Sequence, residues 1–177
     1  MEILHGEGVS SGIAFGIIHF SGKESSHAEK RIVEDWQGET ARYEKAREKA
    51  AGELEKLYTQ TLEKLGEENA QLFEIHRMML EDPDFSGCIT ETICKEHVNA
   101  EYAVEATAHR FAGLFSSMED EYMQGRAADV KDISHRLLRI LENGSDETAG
   151  PEKQQGAVIL AGDDFTPSET AQLDTAH

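Results

Sequence analysis

The chain has 177 residues, 38% of them hydrophobic, with 35 Asp and Glu against 17 Lys and Arg and a formal charge of −18. Its length suits one domain or two small ones and is enough for a buried core. The negative surplus serves solubility and repels nucleic-acid phosphate and anionic membranes, which excludes both as principal partners and favours a basic protein, a cation or a metal.

The first seven residues, Met1-Glu2-Ile3-Leu4-His5-Gly6-Glu7, carry acids where a signal peptide would carry Lys or Arg. No apolar run approaches the ~18 residues of a membrane span, and the chain reads as cytoplasmic. Residues 8–18, rich in glycine and β-branched side chains, predict a turn followed by a strand. A 3.6-residue period through Trp36, Thr40, Tyr43, Ala46, Ala50, Leu54, Leu57, Thr61 and Leu65 predicts one long helix from about Ile32 to Leu65. Gly66 ends it, and a second helix starts at Glu67 and Glu68, whose charges suit a helix N-terminus. Pro83 punctuates that helix. A third helix carries Phe85, Ile89 and Ile93, and Asn99 N-caps a fourth with Ala103, Thr107, Phe111 and Leu114 on one face. A fifth runs from about Glu119 through Leu141 to a left-handed stop at Asn143-Gly144.

Residues 143–156 have linker composition, after which Ala157-Val158-Ile159-Leu160-Ala161 reads as a buried strand. Thr166-Pro167-Ser168-Glu169 then combines an N-cap, an N1 proline and an N3 glutamate. The expected architecture is therefore mainly α. A helical-hairpin, four-helix-bundle-like domain is inserted between two pieces of an α/β domain, which is incomplete because so few strands leave open edges.

The eight histidines yield no strong metal or catalytic pattern. A di-iron bundle needs two Glu-x-x-His pairs, whereas only Asp132-x-x-His135 approximates one. Cys94-x-x-His97 is a single pair, too few for structural zinc, and Cys88 and Cys94 are too far apart on a helix to bridge. No HExxH, P-loop or GxSxG segment occurs. The second helix is more informative. Leu72, Phe73, Ile75, Met78, Met79 and Leu80 spread over roughly 220° of its surface, with His76 inside the arc. Such a helix is either wedged between two neighbours or keeps apolar surface for a partner. Acids frame it at Glu67, Glu68, Glu81, Asp82 and Asp84, and an adaptable Met patch with a charged rim suits a transient protein interface.

Four segments occur in a familiar order: Gly8-Val9-Ser10-Ser11-Gly12-Ile13-Ala14-Phe15-Gly16, Met79-Leu80-Glu81-Asp82-Pro83, Arg126-Ala127-Ala128-Asp129-Val130-Lys131-Asp132-Ile133 with Arg136-Leu137-Leu138, and Asp164-Phe165-Thr166-Pro167-Ser168-Glu169-Thr170. With them the sequence resembles the N-terminal region of enzyme I of the bacterial sugar phosphotransferase system, essentially over the whole chain. The resemblance implies an HPr-binding helical domain at 30–143, inserted into a partial α/β phosphohistidine domain at 1–22 and 156–177, with 144–155 as linker. It implies a phosphoenolpyruvate-protein phosphotransferase that takes phosphoryl onto its own histidine and passes it to the carrier HPr in sugar uptake. The phosphoenolpyruvate and Mg²⁺ sites belong to a C-terminal barrel that also forms a homodimer, so no cofactor is expected on this chain.

The family's active histidine lies in a Gly-Gly-x-Thr-Ser-His segment beyond Thr-Pro-Ser-Glu. The chain is expected to stop before it, because His177 follows Asp174-Thr175-Ala176. No catalytic residue is assigned. The docking residues that carry over are Glu67, Glu68, Leu72, His76, Met78, Met79, Asp82 and Asp84, with Phe115, Tyr122 and Arg126 from the later helices. Asn69 stands where many relatives have a basic residue and Gln71 where they have a small apolar one. A nitrogen-regulatory enzyme I and a dihydroxyacetone-kinase phosphoryl donor use the same module and remain alternatives, as does an unrelated helical scaffold. A motif beginning at Gly8 favours the ordinary enzyme I, because the regulatory form usually carries a sensory domain ahead of it.

Overall fold

The computed structural model describes residues 15–20, 27–143 and 158–162. The order is β1 (Ile17–Phe20), α1 (Trp36–Leu65), α2 (Glu67–Leu80), α3 (Pro83–Glu96), α4 (Ala100–Ser116), α5 (Glu121–Asn143) and β2 (Val158–Ala161). β1 and β2 pair in parallel, Ile17 beside Val158 through Phe20 beside Ala161, so all five described helices fall in sequence between two partners of one sheet. Residues 1–14, the expected linker at 144–155, the Gly144 stop and the Thr166-Pro167-Ser168-Glu169 helix start lie outside the described residues.

α1 is the spine. Its 30 residues extend about 45 Å, and the predicted stripe is buried from Tyr43 through Ala46, Ala50, Leu54 and Leu57 to Thr61. α2 and α3, 14 residues each, make one return leg broken at a corner. α2 packs along α1, and the far end of α3 reaches the start of α1, where the Thr40 hydroxyl lies 3.9 Å from the Cys94 sulfur. α4 and α5 form the second hairpin. Ile89, Ile93, Val104, Val130, Ile133 and Leu137 complete a single core. Both cysteines are free, as expected.

The boundaries follow from capping chemistry. α1 begins at Trp36 and not near Ile32, because Asp35 accepts a hydrogen bond from the Gly38 N–H and the preceding residues serve elsewhere. Ile32 bridges Val98, the Val33 N–H donates to the His97 carbonyl at 2.7 Å, and the Asn99 N–H donates to the Arg31 carbonyl at 3.0 Å. That short antiparallel contact ties the entry of α1 to the α3–α4 corner. Pro83 opens α3 at its first turn, with Asp82 Oδ1 accepting from the N–H groups of Asp84 and Phe85. Asn99 holds the N-cap position of α4 without capping it, since its Oδ1 accepts from the Arg31 N–H. A carboxylate of α1 does that work: Glu39 Oε2 accepts from the Ala100 N–H at 2.7 Å. α5 starts at Glu121, after Asp120 accepts from the Met123 N–H.

Polar contacts lock the two hairpins together. Arg42 pairs with Glu101 of α4 and donates to the Leu141 carbonyl near the end of α5 at 2.9 Å. Glu53 holds Arg136 at 2.6 Å and Arg139 at 2.5 Å on α5. Gly66 joins α1 to α2 at φ 86° and ψ 174°, a combination open essentially to glycine alone. Open space surrounds its Cα, so a side chain there meets backbone strain and no clash. Gly66→Ala should therefore cost about 1–3 kcal/mol, and Leu54→Ala, which leaves a cavity in the core, about 2–5 kcal/mol. Urea unfolding followed by circular dichroism measures both.

Candidate functional site

The residues singled out on α2 divide into two faces. Ala70, Phe73, His76 and Leu80 are buried, whereas Leu72, Ile75 and Met79 are half-covered and Met78 is 63% exposed. The helix is thus covered along one side and keeps part of its apolar arc at the surface. Glu67, Glu68, Asp82 and Asp84 are exposed around it. Asp82 also caps α3, which fixes the acidic corner at the exit of α2.

The remaining residues lie on α4 and α5. Phe85 at the start of α3 stacks edge-on against Phe111 of α4, with ring centroids 5.4 Å apart. Phe115, one turn beyond Phe111, packs against the core and is half-buried. On α5, Tyr122, Arg126 and Asp129 fall within about 60° of helix surface. Tyr122 is 67% exposed, and the Arg126 guanidinium lies 4.7 Å from the centre of its ring and bonds to its hydroxyl. The arrangement combines an adaptable apolar centre, an aromatic ring, one oriented guanidinium and an acidic margin.

His76 departs from expectation. It was expected among the docking residues, yet it is fully buried and a partner cannot touch it. Its side chain points from α2 into α5, where Nε2 lies 3.1 Å from Asp129 Oδ1 and Nδ1 lies 3.2 Å from Asp132 Oδ2. The Nδ1 contact is close but poorly aligned for a hydrogen bond. Asp129 Oδ2 also accepts from Arg126 at 3.2 Å. Two carboxylates thus flank the imidazole, and Arg126 shares one of them. Burial alone would push the imidazole down, but the bond to Asp129 and the negative charges of Asp129 and Asp132 outweigh it and hold His76 above its ordinary 6.5. Asp129 and Asp132 went unassigned in the sequence. Their one available signal was a pair of acids three apart, beside the Val130–Ile133 stripe. Asp132 turns toward His76 of α2, while His135 is exposed. Among the described residues no group of three His, Cys, Asp or Glu is placed to hold a metal ion, and no helix is long and apolar enough to cross a membrane.

Comparison with known proteins accords with this fold. The family described as PEP-utilising enzyme, N-terminal, matches residues 5–126. The chain belongs to that family. It is 41% identical over 176 residues to the phosphoenolpyruvate-protein phosphotransferase of Bacillus sp. (strain S) and 42% identical over 176 residues to that of Geobacillus stearothermophilus. Each match covers 99% of this chain and 30% of the relative's length. Among solved structures, an NMR structure of Enzyme I (nEIt) superposes with a TM-score of 0.73 at 32% identity, covering 92% of this chain and 65% of that one. The N-terminal domain of Enzyme 1 - Nitrogen gives 0.71 at 23% identity over 88% of this chain and 64% of its own, a likeness of fold alone. Membership in the PEP-utilising family removes the unrelated-scaffold alternative.

The buried imidazole makes stability pH-dependent in a defined direction. A folded state that favours imidazolium is fully stabilised below the ordinary 6.5 of the unfolded chain and loses that stabilisation as pH rises through the raised folded value. Thermal melts from about pH 6 to about pH 9 should show a falling Tm in the wild-type chain and a smaller fall in His76→Gln. A His76 ring that titrates at or below 6.5 by NMR would contradict the assignment.

Proposed function

We propose that this chain is the carrier-docking part of a phosphoenolpyruvate-protein phosphotransferase, and that the surface formed by α2, the α2–α3 corner and the start of α5 receives an HPr-type phosphocarrier. The observation that carries the reading is the uncovered part of the α2 apolar arc, with Met78 exposed and Glu67, Glu68, Asp82 and Asp84 exposed around it, on a helix that His76 ties to the Asp129, Arg126 and Tyr122 cluster of α5. An adaptable apolar centre supplies affinity, and the acids steer a partner whose target histidine is ringed by basic residues. The parallel pairing of β1 with β2 supports assigning 1–22 and 156–177 to the phosphohistidine domain. In the complete enzyme a histidine of that domain carries the phosphoryl group, because imidazole nitrogen is nucleophilic at neutral pH and in-line transfer is mainly positioning and charge stabilisation. Phosphoenolpyruvate and Mg²⁺ are the business of the remainder of the enzyme, which on this reading is a cytoplasmic homodimer.

The structure changes which methionine is the useful probe. Met79 packs partly against the core, so replacing it would disturb folding as well as docking, whereas Met78 is exposed. Met78→Asp should weaken carrier binding by more than about 1 kcal/mol with little change in Tm. Glu67→Lys and Glu68→Lys should slow association, with an effect that shrinks as salt is raised. Calorimetric and stopped-flow titration with purified HPr measures both, and NMR shifts confined to the opposite side of the helices would remove the assignment.

Docking and chemistry should separate in the 177-residue chain. Lacking the Gly-Gly-x-Thr-Ser-His segment, it should bind carrier without accepting phosphate from phosphoenolpyruvate or phosphorylated HPr. Mass spectrometry at neutral pH after incubation with both donors and Mg²⁺ tests this. Phosphate on one histidine of the chain, abolished by replacing that residue, would refute it.

A further inference from the structure

We infer that Asp129 is a positioning residue for docking, one carboxylate that anchors α2 through His76 and at the same time presets the Arg126 guanidinium at the docking face. The inference rests on the docking reading above and adds to it a cause for the geometry of Arg126. Asp129 Oδ1 lies 3.1 Å from His76 Nε2, and its Oδ2 accepts from Arg126 Nη1 at 3.2 Å. Its side chain is mostly covered, at 19% exposure, and that of Arg126 is similarly covered at 16%. The guanidinium is also stacked on Tyr122, so it is gripped from two sides.

This arrangement differs from an ordinary surface ion pair. A free arginine carries substantial rotamer entropy, much of it lost when a partner orders the side chain. Here the folded helix pair has already ordered it, and such preorganisation raises affinity without adding a contact. The anchor is rigid because Asp129 is itself held by a fully buried ring, whose other nitrogen faces Asp132. Fixing the α2 backbone through His76 and the α5 cation through the same carboxylate also sets the placement of α2 relative to Arg126 and Tyr122. A partner would therefore meet a face of one geometry.

The test uses the whole 177-residue chain with purified HPr as the probe. Asp129→Asn keeps the shape and removes the charge. It should retain the helical circular dichroism and bind carrier about tenfold more weakly, mainly through faster dissociation, as expected for loss of a charge-assisted bond. The Arg126 Nε–Hε resonance should move to the position of a free guanidinium. In a double-mutant cycle, Asp129→Asn should cost little further affinity once Arg126→Gln is present. Unchanged affinity of Asp129→Asn, or fully additive losses in the cycle, would overturn the inference. Should Asp129→Asn fail to fold, the wild-type chain decides: hindered guanidinium rotation at Arg126 before carrier is added supports the inference, and free rotation defeats it. Absence of carrier binding by the wild-type chain would instead remove the docking reading itself.

Discussion

The apolar stripe of α1 must be covered along its whole buried length, from Tyr43 to Thr61. At about 45 Å α1 is longer than any other described helix. The chain meets the demand with a return leg made of two helices, α2 and α3, and closes the other side with α4 and α5. Breaking the return leg at Asp82-Pro83 lets each half settle against α1 separately. The break exposes a corner whose N–H groups need an acceptor, and Asp82 supplies it. The acid that closes the helix start is thus also part of the negative margin at the exit of α2. A packing requirement and an electrostatic one are met by the same residue.

The contact between α2 and α5 is unusual in being charged. A buried imidazole between two carboxylates is a weak source of stability compared with an apolar filling. What it supplies is a single arrangement: His76 cannot slide along α5 without leaving Asp129 or Asp132 without its ring. Burial opposes the imidazolium and the acids restore it, so the fit between α2 and α5 is chemical as well as steric. The remaining charged ties, Arg42 with Glu101 and Glu53 with Arg136, do comparable work at other levels of the bundle.

Much of this was legible in the residues themselves. The buried stripe of α1, Gly66 as a stop and the strand at 17–20 follow from periodicity and backbone preference, and the structure places each of them where those rules put it. The errors have a common physical origin. Ile32 was absorbed into α1 because its spacing suited the stripe, but a tertiary bridge to Val98 claims it. Asn99 has the composition of a cap, yet Glu39 does the capping by accepting from the Ala100 N–H, sixty-one positions along the chain. His76 lies within the apolar arc of α2, the position of an interface residue by local pattern. Its actual partners are on α5, and no local pattern announces a contact separated by fifty-three positions. Local rules locate elements well; they are silent on which long-range acceptor or counter-charge a polar side chain will find.

The bond from Arg42 to the Leu141 carbonyl has a consequence for how the molecule assembles. Parallel strands as distant in sequence as β1 and β2 ordinarily face a large loop-closure entropy before they can meet. Here the entrance and exit of the helical part are drawn to one place by the packing of α1 against α5, so most of that loop is already closed when the bundle forms. Strand pairing becomes a short-range event that follows helical folding. The same geometry makes the helical part a cassette, joined to the sheet through two neighbouring points, and such a cassette can be transplanted between hosts whose strands offer the same narrow gap.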